Sequence, residues 1–308
     1  MPAAKMHAGE LEITEPLVRQ LLAAQFPQWA NLALTPVPSA GTDNALFRLG
    51  EKMVVRLPRI HWASGQPAKE HAWLPYLAPH LPLAIPQPLA LGEPSDAYPW
   101  QWAIHGWRAG EDATRARMSD PRQAAIDLAH FVAALQRIAV PAGLTPEMLP
   151  GGRGEPLTAR DARVRAAIAA LHGRLDTSAA LAVWEAALAA PPWPGRPVWL
   201  HGDLQAGNLL AVQGRLSAVI DFGCLGLGDP ACDIMAAWLH LERETRDLFR
   251  AVLQVDDATW LRGRGWALSV GLIALPYYQD TNPVLAGIAR RAIEAAFEMN
   301  KTIIKGDN

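Results

Sequence analysis

His201-Gly202-Asp203-Leu204-Gln205-Ala206-Gly207-Asn208 leads through Leu209–Val212, Gln213-Gly214 and Arg215–Ile220 to Asp221-Phe222-Gly223, a β island inside a helical half of the chain. Two short β-type runs flank Gln213-Gly214, so the centre reads as a hairpin. With a two-residue loop, Val212 opposes Arg215 and Asn208 opposes Val219, which puts Asp221 two residues further along on the face of Asn208. A three-residue loop would turn Asp221 to the other face, so the convergence depends on register. An amide oxygen and a carboxylate at one strand end suit Mg²⁺, a hard ion that takes one or two protein oxygens together with water and substrate phosphates. A phosphate-bearing ligand is therefore expected. Asp203, in the loop leading into the hairpin, is placed to receive a proton from a substrate hydroxyl beside that metal.

On either side of this island the chain changes character. Upstream, a helix is expected from Thr14, with Pro16 in its first turn. Short β-type runs at Leu32–Pro38, Ala45–Leu49 and Met53–Leu57 are cut by turn residues, a strand meander. Ala68–Leu77 has helical spacing, and Pro79–Pro99 with Trp100–Ile104 reads as further extended chain. Beyond Arg108 helices dominate: one capped by Asp120-Pro121, then Thr158–Leu171, Thr177–Ala190, an Asp229-Pro230 start, and others from Asp256 and Thr281. No internal repeat or low-complexity tract appears. A β-rich part followed by a larger helical part is the simplest layout, with the cleft between them as the default ligand site.

Composition excludes several classes. The 308 residues are 50% hydrophobic and 19% charged, enough for a sizeable core and against disorder. A net charge of −2 gives no overall attraction to a polyanion, so nucleic acid is not expected as a partner. Cys224 and Cys232 make neither a disulfide framework nor a zinc template, which fits a reducing cytoplasm. Met1–His7 lacks the apolar stretch of a signal peptide, and charged residues or Pro interrupt each long apolar run, so no membrane segment is expected.

HGDLQAGN followed by IDFG resembles the catalytic loop and metal-binding Asp-Phe-Gly of kinase-fold enzymes. Gly202 stands where protein kinases carry Arg. Together with Gly228-Asp229-Pro230-Ala231-Cys232-Asp233, the pattern resembles the aminoglycoside phosphotransferase family more closely, a group of antibiotic and small-metabolite kinases. The similarity covers nearly the whole chain, but only these two blocks are specific. Each block alone also reads as a capped turn or a helix start; their order and the 18-residue separation of Asp203 from Asp221 favour the kinase-like reading. Only Cys224–Gly228 lies between Gly223 and the next helix start, too little for a peptide-docking platform, so a small hydroxyl-bearing substrate is expected.

The resemblance implies an α+β, bilobal protein-kinase-like fold, with a nucleotide-binding lobe over 1–107 and a catalytic and substrate-binding lobe over 108–308. It implies ATP or GTP as phosphate donor and Mg²⁺ as cofactor, with Asp203 catalytic and Asn208 and Asp221 as metal ligands. Ser39–Asn44, with Ser39, Gly41 and Asn44, would cover phosphates, although the same loop reads as an ordinary turn. Arg56 falls at the position of the family's phosphate-binding Lys, and Glu70 at that of its ion-pair partner, though each also reads as a surface charge. Trp100–Arg108 resembles the connector that reads the adenine edge. Asp233 resembles a position that braces the catalytic loop, or is a helix-start charge. For the acceptor, Trp238, Glu242, Asp256, Asp257, Trp260, Tyr277, Tyr278 and Asp280 offer an aromatic and acidic wall, or serve as caps and core. The acceptor itself and the oligomeric state stay open. Two other readings remain: a catalytically silent nucleotide-binding module, and a metal hydrolase using His201, Asp203 and Asp221.

Overall fold

A computed structural model of the chain describes residues 9–39 and 41–298; Met1–His7 and Ala40 of the Ser39–Asn44 loop lie outside them. Helix α1 (Glu15–Gln25) starts where Thr14 Oγ accepts from the Leu17 N–H, with Pro16 in the first turn. The meander follows as β1 (Leu34–Pro36), β2 (Asn44–Leu49) and β3 (Met53–Pro58); then come helix α2 (Gln66–Leu77) and strands β4 (Gln87–Gly92) and β5 (Trp102–Gly106). These five strands make one antiparallel sheet in the order β1-β2-β3-β5-β4. Alternation sorts their side chains: Ala45, Phe47, Leu49, Val55 and Leu57 enter a core shared with α1 and Trp102. Arg56, between Val55 and Leu57, faces the other way.

The chain leaves this sheet at Gly106, and β6 (Glu111–Asp112) joins a second one. Helices α3 (Pro121–Arg137), α4 (Asp161–Ala170) and α5 (Thr177–Ala189) precede β7 (Val198–Leu200), β8 (Leu209–Val212), β9 (Arg215–Val219) and β10 (Gly226–Gly228). Helices α6 (Ala231–Ile234), α7 (Ala236–His240), α8 (Arg243–Leu253), α9 (Asp257–Tyr278) and α10 (Pro283–Glu298) complete it. A second, larger core gathers Trp184, Trp199, Trp238 and Trp266. Helix α2 ties the halves together, because Leu74 and Leu77 enter the larger core while Glu70, one turn earlier on the same face, meets the first sheet. The α+β class is as expected; the helix expected over Thr158–Leu171 begins instead as a 3₁₀ turn at Leu157–Arg160. Among the described residues, no helix is long and apolar enough to cross a membrane.

The hairpin departs from its expected register. Gln213 (φ 52°) and Gly214 (φ 73°) form a two-residue left-handed turn, and Val212 pairs with Arg215. Beyond Ala211↔Leu216 the ladder slips by one residue, Leu210 pairing with Ala218 and Leu209 with Val219. Ser217 is the extra residue of a β-bulge. Its carbonyl is taken by the Ala84 N–H at 3.2 Å and its hydroxyl donates to the Leu210 carbonyl at 3.2 Å, so the ladder is interrupted there. Asn208 thus does not oppose Val219. It ends a 3₁₀ turn, and its carbonyl accepts from the Ile220 N–H at 2.9 Å.

Candidate active site

Arg56, 6% exposed, stands on β3 at the centre of an ionic cluster. Its Nη1 donates to both Glu70 oxygens at 2.6 and 2.7 Å, and its Nη2 reaches Asp221 Oδ1 at 2.6 Å and Gln66 Oε1 at 3.0 Å. A planar guanidinium can serve all three at once, which a lysine ammonium cannot do with the same geometry. Burial opposes the Arg56 charge, but Glu70 and then Asp221 hold it above its ordinary value. Burial likewise pushes up the Glu70 carboxyl, and Arg56 pulls it back. Asn44, at the start of β2, turns its amide oxygen to the guanidinium, 3.1 Å from Arg56 Nη2. Next to Glu70, buried Lys69 donates to the Pro150 carbonyl at 2.9 Å and the Gly223 carbonyl at 2.8 Å, tying α2 to the turn after Asp221. Burial lowers the Lys69 pKa.

Asp221 has left-handed backbone (φ 63°, ψ 72°), and that turn, in place of strand alternation, aims its side chain at Arg56. Its side chain is 41% exposed, so a face of the carboxylate is open to a ligand. Burial works against the Asp221 charge, but the Arg56 guanidinium, helped by the Gly223 N–H, holds its pKa below the usual carboxylate range.

The loop before the hairpin is held from inside. Asp233, fully buried, accepts the His201 N–H on Oδ2 and the Gly202 N–H on Oδ1, each at 2.8 Å. It is a loop brace as well as a helix-start acid. His201, also fully buried, accepts the Asp203 N–H on Nδ1 at 3.1 Å, and its Nε2–H meets the Ile220 carbonyl at 3.1 Å. With both ring nitrogens used, His201 is unavailable as a metal ligand, which removes the hydrolase reading that needs it. Asp203 is half-buried; Asn208 Nδ2 donates to its carbonyl at 2.8 Å and to its Oδ2 at 3.1 Å. The Asn208 amide oxygen is then the end left for a cation, beside a strand end that carries Asp221. An amide oxygen and an open carboxylate are the donors that a hard divalent ion takes. Among the described residues, no three His, Cys, Asp or Glu side chains gather as a metal cluster.

Residues 34–266 match the pattern of the phosphotransferase enzyme family. The chain belongs to that family. An aminoglycoside 3'-phosphotransferase of Escherichia coli is 40% identical over 60 residues, a match spanning 20% of this chain and about a fifth, 22%, of that protein. Among solved structures, the GDP complex of aminoglycoside 2'-phosphotransferase-IIIa superposes over 94% of this chain and 100% of its own, with a TM-score of 0.73 and 18% identity. A macrolide 2'-phosphotransferase from Brachybacterium faecium covers 91% of this chain and 98% of its own, with a TM-score of 0.59 and 22% identity. These likenesses show the fold, a bilobal kinase-like one.

Within the family frame, the remaining expected residues divide. Ser39 Oγ accepts the Gly41 N–H at 3.0 Å, a local turn on an exposed loop. Thr42 of that loop lies 3.4 Å from the Tyr278 hydroxyl at the end of α9, so the loop and the helical half touch. Trp238 and Trp260 are core, their rings 4.5 Å apart; Asp256 caps α9, Asp257 pairs with Arg250, and Glu242 with Arg291. Tyr277 and Tyr278 alone of that group are placed by these contacts near the loop. Sequence reasoning passed over Gln66, Lys69 and Arg153. The last is 2.8 Å from Asp203; its only signal was its place between glycines in Gly151-Gly152-Arg153-Gly154.

Proposed function

We propose that the chain is a small-molecule kinase that transfers the γ-phosphoryl group of ATP or GTP to a hydroxyl of a small acceptor. One observation carries this reading: the Arg56–Glu70–Asp221 cluster and the Asp203–Asn208 pair are adjacent, the Ile220 N–H beside Asp221 donating to the Asn208 carbonyl at 2.9 Å. In the proposed reaction Asp203 accepts the hydroxyl proton while the acceptor oxygen bonds to the γ-phosphorus. The bond to the bridging oxygen breaks, and the nucleoside diphosphate leaves with its electron pair. Arg56, oriented by Glu70, steadies phosphates, and the Ser39–Asn44 loop covers them. Asn208 and Asp221 would hold Mg²⁺, which supplies charge neutralisation at the phosphates when bound. Positioning and electrostatics then account for the catalysis. We take the lobes as 1–107 and 108–308. Both cysteines are free thiols, in keeping with a reducing cytoplasm.

Aminoglycoside and macrolide kinases share the fold, so the acceptor panel includes both classes, along with amino alcohols and sugars. With Mg-ATP and Mg-GTP as donors, the parent is expected to phosphorylate at least one member. Asp203→Ala should still bind Mg-nucleotide but lose transfer by roughly 10²-fold or more, and Asp221→Ala should also weaken metal-dependent nucleotide binding. Equal turnover by Asp203→Ala and the parent defeats the assignment. Tight Mg-nucleotide binding with no transfer to any panel member favours a silent module.

A further inference from the structure

The catalytic-loop arginine of protein kinases is replaced here by Gly202, yet an arginine does reach Asp203. Arg153 Nη1 donates to Asp203 Oδ1 at 2.8 Å and to the Gly202 carbonyl at 2.8 Å, across 50 residues of chain. Its delivery is built into the backbone. The Arg153 N–H donates to the Cys224 carbonyl at 3.1 Å, and the Asp229 N–H to the Gly154 carbonyl at 3.2 Å, so the segment runs alongside 224–229. The two stretches lie so close that only glycines fit between them. A Cβ on Gly226 would come 2.3 Å from the Arg153 carbonyl oxygen, and one on Gly228 would come 2.0 Å from that of Gly154. Gly202 completes the fit: its φ is +80°, and a Cβ there would meet the Cys224 carbonyl oxygen at 2.5 Å and the Arg153 Cβ at 3.1 Å. Room for Arg153 and the lack of a side chain at 202 are therefore one arrangement, not two coincidences.

We infer that Arg153 is a positioning residue for Asp203. Its guanidinium holds Oδ1 while Asn208 holds Oδ2, fixing the carboxylate plane toward the acceptor hydroxyl and offsetting its repulsion of the incoming phosphates. This inference rests on the role proposed for Asp203. The two side chains are 28% and 27% exposed, partly withdrawn from water but open on one side, as a group that must meet a substrate requires. A guanidinium is always charged and presents its donors in a fixed plane, so it orients a carboxylate more tightly than an ammonium.

The test uses the full chain and phosphate release from Mg-ATP and Mg-GTP, with water as acceptor, in the parent, Arg153→Ala, Arg153→Lys and Asp203→Asn. Arg153→Ala should lower kcat by about 10- to 100-fold with the nucleotide KM within about twofold of the parent, the pattern of a lost transition-state interaction. Arg153→Lys should recover part of kcat, and guanidinium ion well below its denaturing range should raise the rate of Arg153→Ala but not of Asp203→Asn. A double-mutant cycle of Arg153→Ala and Asp203→Asn in urea unfolding reads the contact without turnover, with a coupling of about tenfold in the unfolding constant expected. Parent-like kcat in Arg153→Ala while Asp203→Asn is inactive overturns the inference alone, as does a cycle without coupling. Undiminished release by Asp203→Asn overturns the kinase reading of Asp203 itself.

Discussion

Asp233 shows how much a single buried carboxylate can hold. It accepts two backbone N–H groups from consecutive residues of the loop that carries Asp203, and no solvent reaches it. Removing it leaves both donors buried without partners, each costing roughly 1–3 kcal/mol. Asp233→Ala should therefore destabilise the chain by about 2–6 kcal/mol in urea unfolding, and any fraction that folds should transfer phosphate more slowly. A stability within about 0.5 kcal/mol of the parent, the range of a neutral surface change, would show that the brace contributes little. Residues of this kind were only half legible. Asp233 lies in a helix-start pattern that sequence explains equally well by capping. Arg56 and Glu70 were legible because strand and helix positions are periodic and a resemblance supplied their roles. Arg153 was not, since 50 residues separate it from Asp203 and no local periodicity joins them.

The hairpin carries Asp221 into place, and its turn is the easiest element to test. Gln213 holds φ 52°, which costs an L-residue about 1–2 kcal/mol, whereas Asn tolerates this conformation and Asn-Gly is the favoured pair for such a turn. Gln213→Asn should stabilise the chain by about 0.5–1 kcal/mol in urea unfolding and leave phosphate transfer unchanged. A destabilised variant would mean that the Gln213 side chain makes a contribution its backbone conformation does not explain. The turn itself was readable because Gln213-Gly214 is a local signal between two apolar runs. The bulge at Ser217 was not, because its cause is non-local: Ala84, more than a hundred residues earlier, takes the Ser217 carbonyl and gives its own to the Val219 N–H. The element was therefore readable from sequence, but its register was not.

Across the whole molecule, one hydrophobic core lies between α1 and the first sheet and a larger one fills the helical half and takes in Leu74 and Leu77 of α2, and the change from β-type runs to helical periods foreshadowed them. The charges trapped between α2 and the first sheet were less visible, and they set the response to acid. His105 on β5 is 3% exposed, its Nε2 has no hydrogen-bond partner among the described residues, and it lies 4.0 Å from Glu70 on the sheet face that carries Arg56. Burial, then Arg56 and His71, lower its pKa to about 3, so it stays neutral in the folded chain through mild acid. The unfolded chain takes up a proton at this residue once pH falls below about 6.5. Between those values the unfolded state binds more protons, and His105 subtracts up to about 1.4 kcal/mol of stability for each pH unit of acidification. His240, lowered to about 4 mainly by burial, acts in the same direction. Glu70 and Asp233, pushed up by burial, act in the opposite one, so the telling quantity is the difference between parent and variant. Urea unfolding of the parent and His105→Gln from pH 6.5 to 4.5 should give a shallower loss of stability in the variant, by about one proton's worth of slope at the acid end. Parallel curves across that range would mean that His105 is protonated alike in both states, its charge accepted beside Glu70 despite Arg56.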